Sequence, residues 1–173
     1  MALKDRGPRD LVVSANGFAI IGGLRFRCAL GAGGVRTAKQ EGDGATPVGR
    51  WPLREVLFRA DRLAAPKTLL SRRALRKNDG WCDAPADPRY NQNVGLPYAA
   101  SAEALWRTDH LYDLIAVVGY NDGPVIRGAG SAIFLHVARK NYAPTAGCIA
   151  FKRADLLRIL SLIDRRSHVV VKA

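Results

Sequence analysis

The apolar positions of this chain fall mostly in short runs bounded by Gly, Asn, Asp and Pro, the pattern of strands joined by tight turns. Leu11 to Ser14 and Phe18 to Ile21 are two β-prone runs separated by Ala15-Asn16-Gly17, and Asn-Gly between such runs predicts a hairpin. Gly22-Gly23 makes the next turn. Leu24 to Leu30 then opens with apolar and polar residues in alternation, which places Leu24, Phe26 and Cys28 on one face of a half-buried strand. Gly31 to Gly34 reads as a flexible turn, without Walker or G-x-G-x-x-G spacing. Trp51 to Phe58 predicts a strand. Tyr112 to Tyr120 predicts a long one, too continuously apolar for either face to be exposed, ended by Asn121-Asp122-Gly123-Pro124. Ser167 to Lys172 closes the chain as a strand.

Two stretches carry helical signals. Apolar residues at 156, 159, 160 and 163 form the i, i+3, i+4, i+7 stripe of an amphipathic helix over Arg153 to Ile163. Ser101 to Arg107 predicts a short helix, with Ser101 as N-cap and Glu103 in its first turn. Arg59 to Tyr98 holds four of the nine prolines and predicts a long loop system with little regular structure. Eight or so strands and two helices make a mainly-β domain: a sandwich or partly open barrel with a helix packed on it. Residues 1–10 read as a loose lead-in and 11–173 as one catalytic-size domain, the length suiting a single core.

The chemistry concentrates between Ile133 and Phe151. An apolar run, Ile133 to Leu135, ends in His136; a basic polar loop follows; Thr145-Ala146-Gly147-Cys148 re-enters an apolar run, Ile149 to Phe151. If the two runs are neighbouring strands, His136 and Cys148 meet at their loop ends. A cysteine within reach of a histidine is the pair needed for nucleophilic acyl transfer, the imidazole taking the thiol proton and the ion pair keeping thiolate populated. Gly147 lets the backbone turn tightly and aim amides at an oxyanion. Taken alone, such a pair is more often a packed Cys and a satisfied core His.

The spacing of His136 and Thr145-Ala146-Gly147-Cys148-Ile149 resembles the signature of the L,D-transpeptidase (YkuD-type) catalytic domain. Lys39-Gln40-Glu41-Gly42-Asp43-Gly44-Ala45-Thr46-Pro47-Val48-Gly49 resembles that family's EGDG-x-TP-x-G stretch, in the matching order along the chain. The departures are Thr145 and Ala146 where Ser and often His stand, Val137 where Gly often follows the histidine, and Ala150 where Arg or Asn is common. The resemblance implies a β-sandwich-like catalytic domain with one or two helices, and Cys148 and His136 on adjacent strands. It further implies Cys148 as nucleophile, His136 as base, and Gly147 and Thr145 at the oxyanion and substrate site. No metal or cofactor is implied. The expected partners are peptidoglycan stem peptides, and the expected state a monomer. Asp43 and Glu41 receive no catalytic role, Asp43 reading instead as a turn tie.

Charge and cysteines adjust this picture. Lys plus Arg exceeds Asp plus Glu by 27 − 15 = +12, a field that suits an anionic polymer such as cell wall. A nucleic-acid binder is the alternative on charge alone, but aromatics are 8% and no RNP, KH or helix-turn-helix pattern occurs. A non-catalytic module that binds an anionic cell-wall polymer is a further alternative, suggested by Ala146 and Ala150. Cys28 and Cys82 match no metal spacing and are expected reduced and packed. No run is long enough to span a membrane. The start lacks an apolar secretory core, so a cytoplasmic location stands beside the cell envelope that the resemblance implies. His110 is the second choice for a titratable site residue.

Overall fold

The computed structural model describes residues 9–173. The lead-in expected over 1–10 lies outside the described residues except for Arg9 and Asp10. Asp10 accepts hydrogen bonds from the amide of His168 (2.9 Å) and from Arg50 Nε (3.2 Å), so it is tied to the body of the fold.

The strands in chain order are β1 (Leu11–Ser14), β2 (Phe18–Ile21), β3 (Leu24–Ala29), β4 (Val35–Arg36), β5 (Thr46–Pro47), β6 (Gly49–Phe58), β7 (Ser71–Ala74), β8 (Asp79–Cys82), β9 (Asn93–Gly95), β10 (Ala102–Ala104), β11 (Leu114–Val118), β12 (Phe134–Val137), β13 (Ile149–Phe151) and β14 (His168–Lys172); an α-helix, α1 (Arg153–Leu160), precedes β14. The main sheet runs β11-β12-β13-β3-β2-β1-β14-β6, and β6 also pairs with β11. Eight strands thus close on themselves as a barrel-like sheet, with β7 added along β6. The long strand β6 makes this closure: Gly49 to Pro52 pairs with β14, and Leu53 to Phe58 pairs with β11. Closure leaves few free edges, which a mainly-β chain must otherwise protect. The mainly-β expectation holds, in its barrel form.

The barrel core follows from alternation. Leu11 and Val13 of β1, Ala19 and Ile21 of β2, and Val169 and Val171 of β14 are buried, while their neighbours face outward. The predicted helical stripe is the packed face of α1: Leu156, Ile159 and Leu160, followed by Ile163, are all buried with the barrel core. Phe26 and Cys28 are buried as expected, whereas Leu24, beside the turn, is exposed.

β11 and β12 behave differently, because both of their faces are covered. Leu114, Ala116 and Val118 point into the barrel with Leu135 and Val137. Ile115, Val117 and Phe134 point the other way, into a second cluster with Trp81, Leu105, Tyr112 and Cys148. The cover is a three-stranded sheet, β10-β8-β9; β8 and β9 come from the region expected to be irregular, and β10 from the stretch expected to be a helix. Here two expectations fail. Residues 101–107 do not form a helix: Ala102 to Ala104 pair with β8 as a strand, Glu103 opposite Trp81, and Leu105 is fully buried in the second cluster. Seven residues are too few for a helix to stand without a packed apolar face, and the β8 edge offers hydrogen bonds instead. The stretch 59–98 also holds β7, β8 and β9. These were hidden because they are three or four residues long, and because Asp79-Gly80-Trp81-Cys82 is buried throughout and shows no alternation.

Candidate active site

The parallel pair β12 and β13 sets the site. Leu135 lies opposite Ile149 and His136 opposite Ala150, so Cys148, one residue before β13, sits level with Phe134. Parallel strands need a crossover, and here it is the loop from Ala138 to Gly147 with one 3-10 turn at Lys140–Tyr142. Alternation then points Phe134 and His136 away from the barrel core and toward the second cluster.

Cys148 Sγ is held by two hydrogen bonds. The Phe134 amide donates to Sγ at 3.3 Å, and the thiol donates to the Ala132 carbonyl at 3.2 Å. Burial pushes the thiol up to about 12, against the pull of the Phe134 amide and Lys39. His136 Nδ1 lies 2.9 Å from the Val137 carbonyl. A carbonyl only accepts, so Nδ1 carries the hydrogen and Nε2 of the neutral ring keeps its lone pair. Burial holds the imidazole down at about 4, with the nearby Arg139 and Arg107 charges acting in the same direction. The resting pair is therefore a neutral thiol and a neutral imidazole, not the ion pair that the residue types alone suggest. Tyr112 walls the imidazole edge-on, ring centroids 5.3 Å apart at 81°.

Both side chains line one cleft of about 460 Å³, together with Thr145, Ala146, Lys39, Glu41, Asp83, Glu103, Tyr112 and Arg139 among others. Thr145 Oγ1 accepts from the Gly147 amide at 3.1 Å and donates to the Cys148 carbonyl at 2.6 Å. Thr145 thus sits in the cleft wall as expected, while the Gly147 N–H is directed into its own loop. Gly147 has φ +133, and a Cβ there would meet the Ala45 carbonyl at 2.8 Å. Only glycine fits this approach.

The two sequence motifs meet in space at this point. Thr46 Oγ1 accepts from the Gly31 amide and donates to the Gly147 carbonyl, both at 2.9 Å, and Thr46 is fully buried. The Thr145 amide and carbonyl pair with Leu30 and Ala32 at 2.9 Å each. The Gly31 to Gly34 turn is accordingly a packed wall: a Cβ on Gly31 would lie 2.1 Å from the Gly44 carbonyl. Asp43 ties the 40–45 turn, accepting from the Gln40 and Ala45 amides and from Lys39 Nζ at 2.7–2.8 Å. Burial opposes its ionisation, but these donors outweigh it and hold the carboxyl at about 2.

This architecture matches a known family. Residues 13–171 fit the YkuD, L,D-transpeptidase catalytic domain. The chain belongs to that family. Among solved structures, a point mutant of the helical cell shape determining protein Pgp2 from Campylobacter jejuni superposes with TM-score 0.51 at 14% identity. That match covers 97% of this chain and 48% of that one, so this chain spans about half the length of its structural neighbour. The unmutated Pgp2 gives a TM-score of 0.48 at the same identity and coverage. At that identity the likeness is one of fold. No curated protein matches the chain.

Within this YkuD domain the other sequence candidates fall outside the cleft. His110 is largely exposed and bonds Asp113 at 2.8 Å. Cys28 and Cys82 are buried and unpaired, and burial raises both thiols, Cys28 to about 12. Among the described residues no group of three or more His, Cys, Asp or Glu could hold a metal ion, and no helix is long and apolar enough to cross a membrane. The residues that sequence reasoning missed are Asp83, Glu103 and Tyr112. Asp83 and Glu103 come from the covering segment, whose strands carried no periodic signal; Tyr112, at the head of the apolar run that leads into β11, read as core.

Proposed function

We propose that this chain is a thiol acyltransferase of the L,D-transpeptidase kind, acting on peptidoglycan stem peptides. The observation that carries the reading is that His136, on β12 with an unprotonated Nε2, and Cys148, at the entry to the neighbouring β13, line one cleft. Sγ attacks the carbonyl of an L-to-D peptide linkage. As the C–S bond forms, the thiol proton passes to His136 Nε2, which then protonates the departing amine of the D-residue, leaving a thioester. Because the resting thiol and imidazole are both neutral, proton transfer accompanies attack rather than preceding it. Neutral reactants suit a buried site, since charge develops only where donors can receive it. The Cys148 amide is the oxyanion donor in this scheme, with Thr145 and Gly147 setting the loop that presents it. An amine then accepts the acyl group to give a cross-link, or water accepts it to give a shortened stem.

The strongly protonated thiol is also what a non-catalytic wall-binding module would show, and one experiment separates the two. Incubation with a carbapenem, which acylates thiols of this family, is read by intact mass and peptide mapping. A single adduct on Cys148, lost in Cys148→Ala while that variant keeps its thermal midpoint, is the expected result. A folded wild-type protein that takes no adduct removes the acyltransferase reading and leaves the binding module.

A further inference from the structure

The Cys148 thiol carries one hydrogen, and that hydrogen goes to the Ala132 carbonyl at 3.2 Å rather than to His136. The residue that presents this carbonyl has an unusual backbone. Ala132 has φ +53, in the left-handed region where a side chain crowds the chain and glycine is the ordinary occupant. Nothing in alanine favours that state, so the surroundings must impose it. They do so residue by residue. Gly130 donates its amide to the Tyr90 hydroxyl at 3.0 Å and accepts from Asn121 Nδ2 at 2.9 Å. The Ser131 hydroxyl donates to Glu41 at 2.8 Å. The Ala132 amide donates to Asn91 Oδ1 at 3.0 Å. Asn91 is 5% exposed and stands behind the cleft wall, lining no part of the cleft. Its side chain is fully used: Oδ1 also accepts from Trp81 Nε1, and Nδ2 donates to the Tyr120 and Asn121 carbonyls, all at 2.9 Å. One buried amide thus joins β8, the turn after β11 and the segment that enters β12.

We propose that Asn91 is a positioning residue for the Cys148 thiol, acting through the left-handed Ala132 and its carbonyl. The inference rests on the acyl-transfer reading and adds to it a residue that touches neither the substrate nor the reacting atoms. With the Phe134 amide on one side and the Ala132 carbonyl on the other, Sγ is fixed in one direction of attack. Withdrawal of Asn91 Oδ1 frees the Ala132 amide. The residue then relaxes toward negative φ, and its carbonyl turns away from the sulfur. Two effects oppose each other at that point. The thiol proton must leave the Ala132 carbonyl before it reaches His136 Nε2, so loss of that bond removes a brake on attack. The brake is slight, because a thiol is a weak donor. Against it, a sulfur released into several rotamers is out of line with the carbonyl it must attack, and misplacement of that kind costs far more in rate. Placement wins, and acylation slows.

The test follows acylation of Cys148 over a range of carbapenem concentrations, by intact mass, in wild type, Asn91→Gly, Asn91→Ala and Asn91→Asp, well below the melting temperature of each. Asn91 itself has φ +59, which glycine adopts freely, so Asn91→Gly removes the side chain and spares the local backbone. A damaged fold lowers the final level of adduct. A misplaced thiol instead lowers the rate constant at saturation and leaves the half-saturating concentration unchanged. That rate constant is expected to fall about 10-fold in Asn91→Gly and Asn91→Ala. Asn91→Asp keeps the accepting oxygen and gives up both amide donors, so it is expected to lose thermal stability yet recover most of the rate. An unchanged rate constant in Asn91→Gly or Asn91→Ala, or an equal fall in Asn91→Asp, overturns the positioning role and leaves acyl transfer standing. Failure of both Asn91→Gly and Asn91→Ala to fold also overturns it, making Asn91 a residue of the fold alone. A wild type that takes no adduct overturns the acyl-transfer reading and the positioning role with it.

Discussion

β12 presents two kinds of interior on its two faces. Toward the barrel, Leu135 and Val137 meet Leu114, Val118, Phe151 and the helix stripe in a mainly aliphatic core. Away from it, Phe134 and His136 meet Trp81 and Tyr112, with ring centroids 5.2–5.9 Å apart in edge-to-face pairs, and Cys148 joins the same layer. The first interior is held by close packing of interchangeable apolar groups. The second is directional: each aromatic edge and each hydroxyl fixes a neighbour, and the imidazole is fixed from both its nitrogen and its ring. One strand thereby fastens the catalytic histidine candidate to the buried barrel core, while its other face stays chemically specific.

The two faces should break differently. Leu135→Ala removes a fully buried side chain from the barrel core and is expected to cost about 2–5 kcal/mol, seen as a lower midpoint in denaturant at unchanged slope. Any activity that survives should keep its pH profile, because no titrating group is touched. A smaller but more telling effect separates His136. Its imidazole is held near 4 when folded, against about 6.5 when unfolded. The unfolded chain therefore binds a proton first as pH falls. His136 leaves stability intact above about 6.5, and the fold loses it progressively between about 6.5 and 4, by on the order of 3 kcal/mol. Stability curves at pH 7 and pH 4, in wild type and His136→Gln, measure this. An equal loss in both would show that other groups carry the acid dependence.

The barrel face was readable from sequence because its strands alternate: β1, β2 and β14 bury every second residue, β3 does so at Phe26 and Cys28, and the α1 stripe buries the positions that its period marks. The His136 and Cys148 pair was readable because two short motifs held it. What escaped was everything contributed by the covering sheet. β8 is buried on both faces and so has no period to detect, and Glu103 in Ser101-Ala102-Glu103 carries a helix-start signal that the β8 edge overrides. The protonation state of the pair was equally out of reach. Residue types suggest an ion pair, whereas burial, a property of the assembled site, makes both partners neutral.

The smallest expected effect probes the seam between the two motifs. Thr46 is the link, its hydroxyl accepting from Gly31 and donating to the Gly147 carbonyl. Thr46→Val keeps shape and volume but removes both bonds, leaving a buried amide and a buried carbonyl unanswered at a loss of about 2 kcal/mol. The loss should not stay in stability alone. Gly147 precedes Cys148, and its carbonyl is the point at which the 40–47 loop grips the turn that presents the Cys148 thiol. Thr46→Val is therefore expected to slow Cys148 acylation about 10-fold, as a nucleophile placed slightly out of line does. Thr46→Ser, which restores the hydroxyl, should recover most of that rate. The readout is the acylation time course by intact mass, taken well below each variant's melting temperature. Slow acylation in Thr46→Val with recovery in Thr46→Ser ties the first motif to the chemistry of the second; equal rates in all three proteins would reduce the seam to a packing contact.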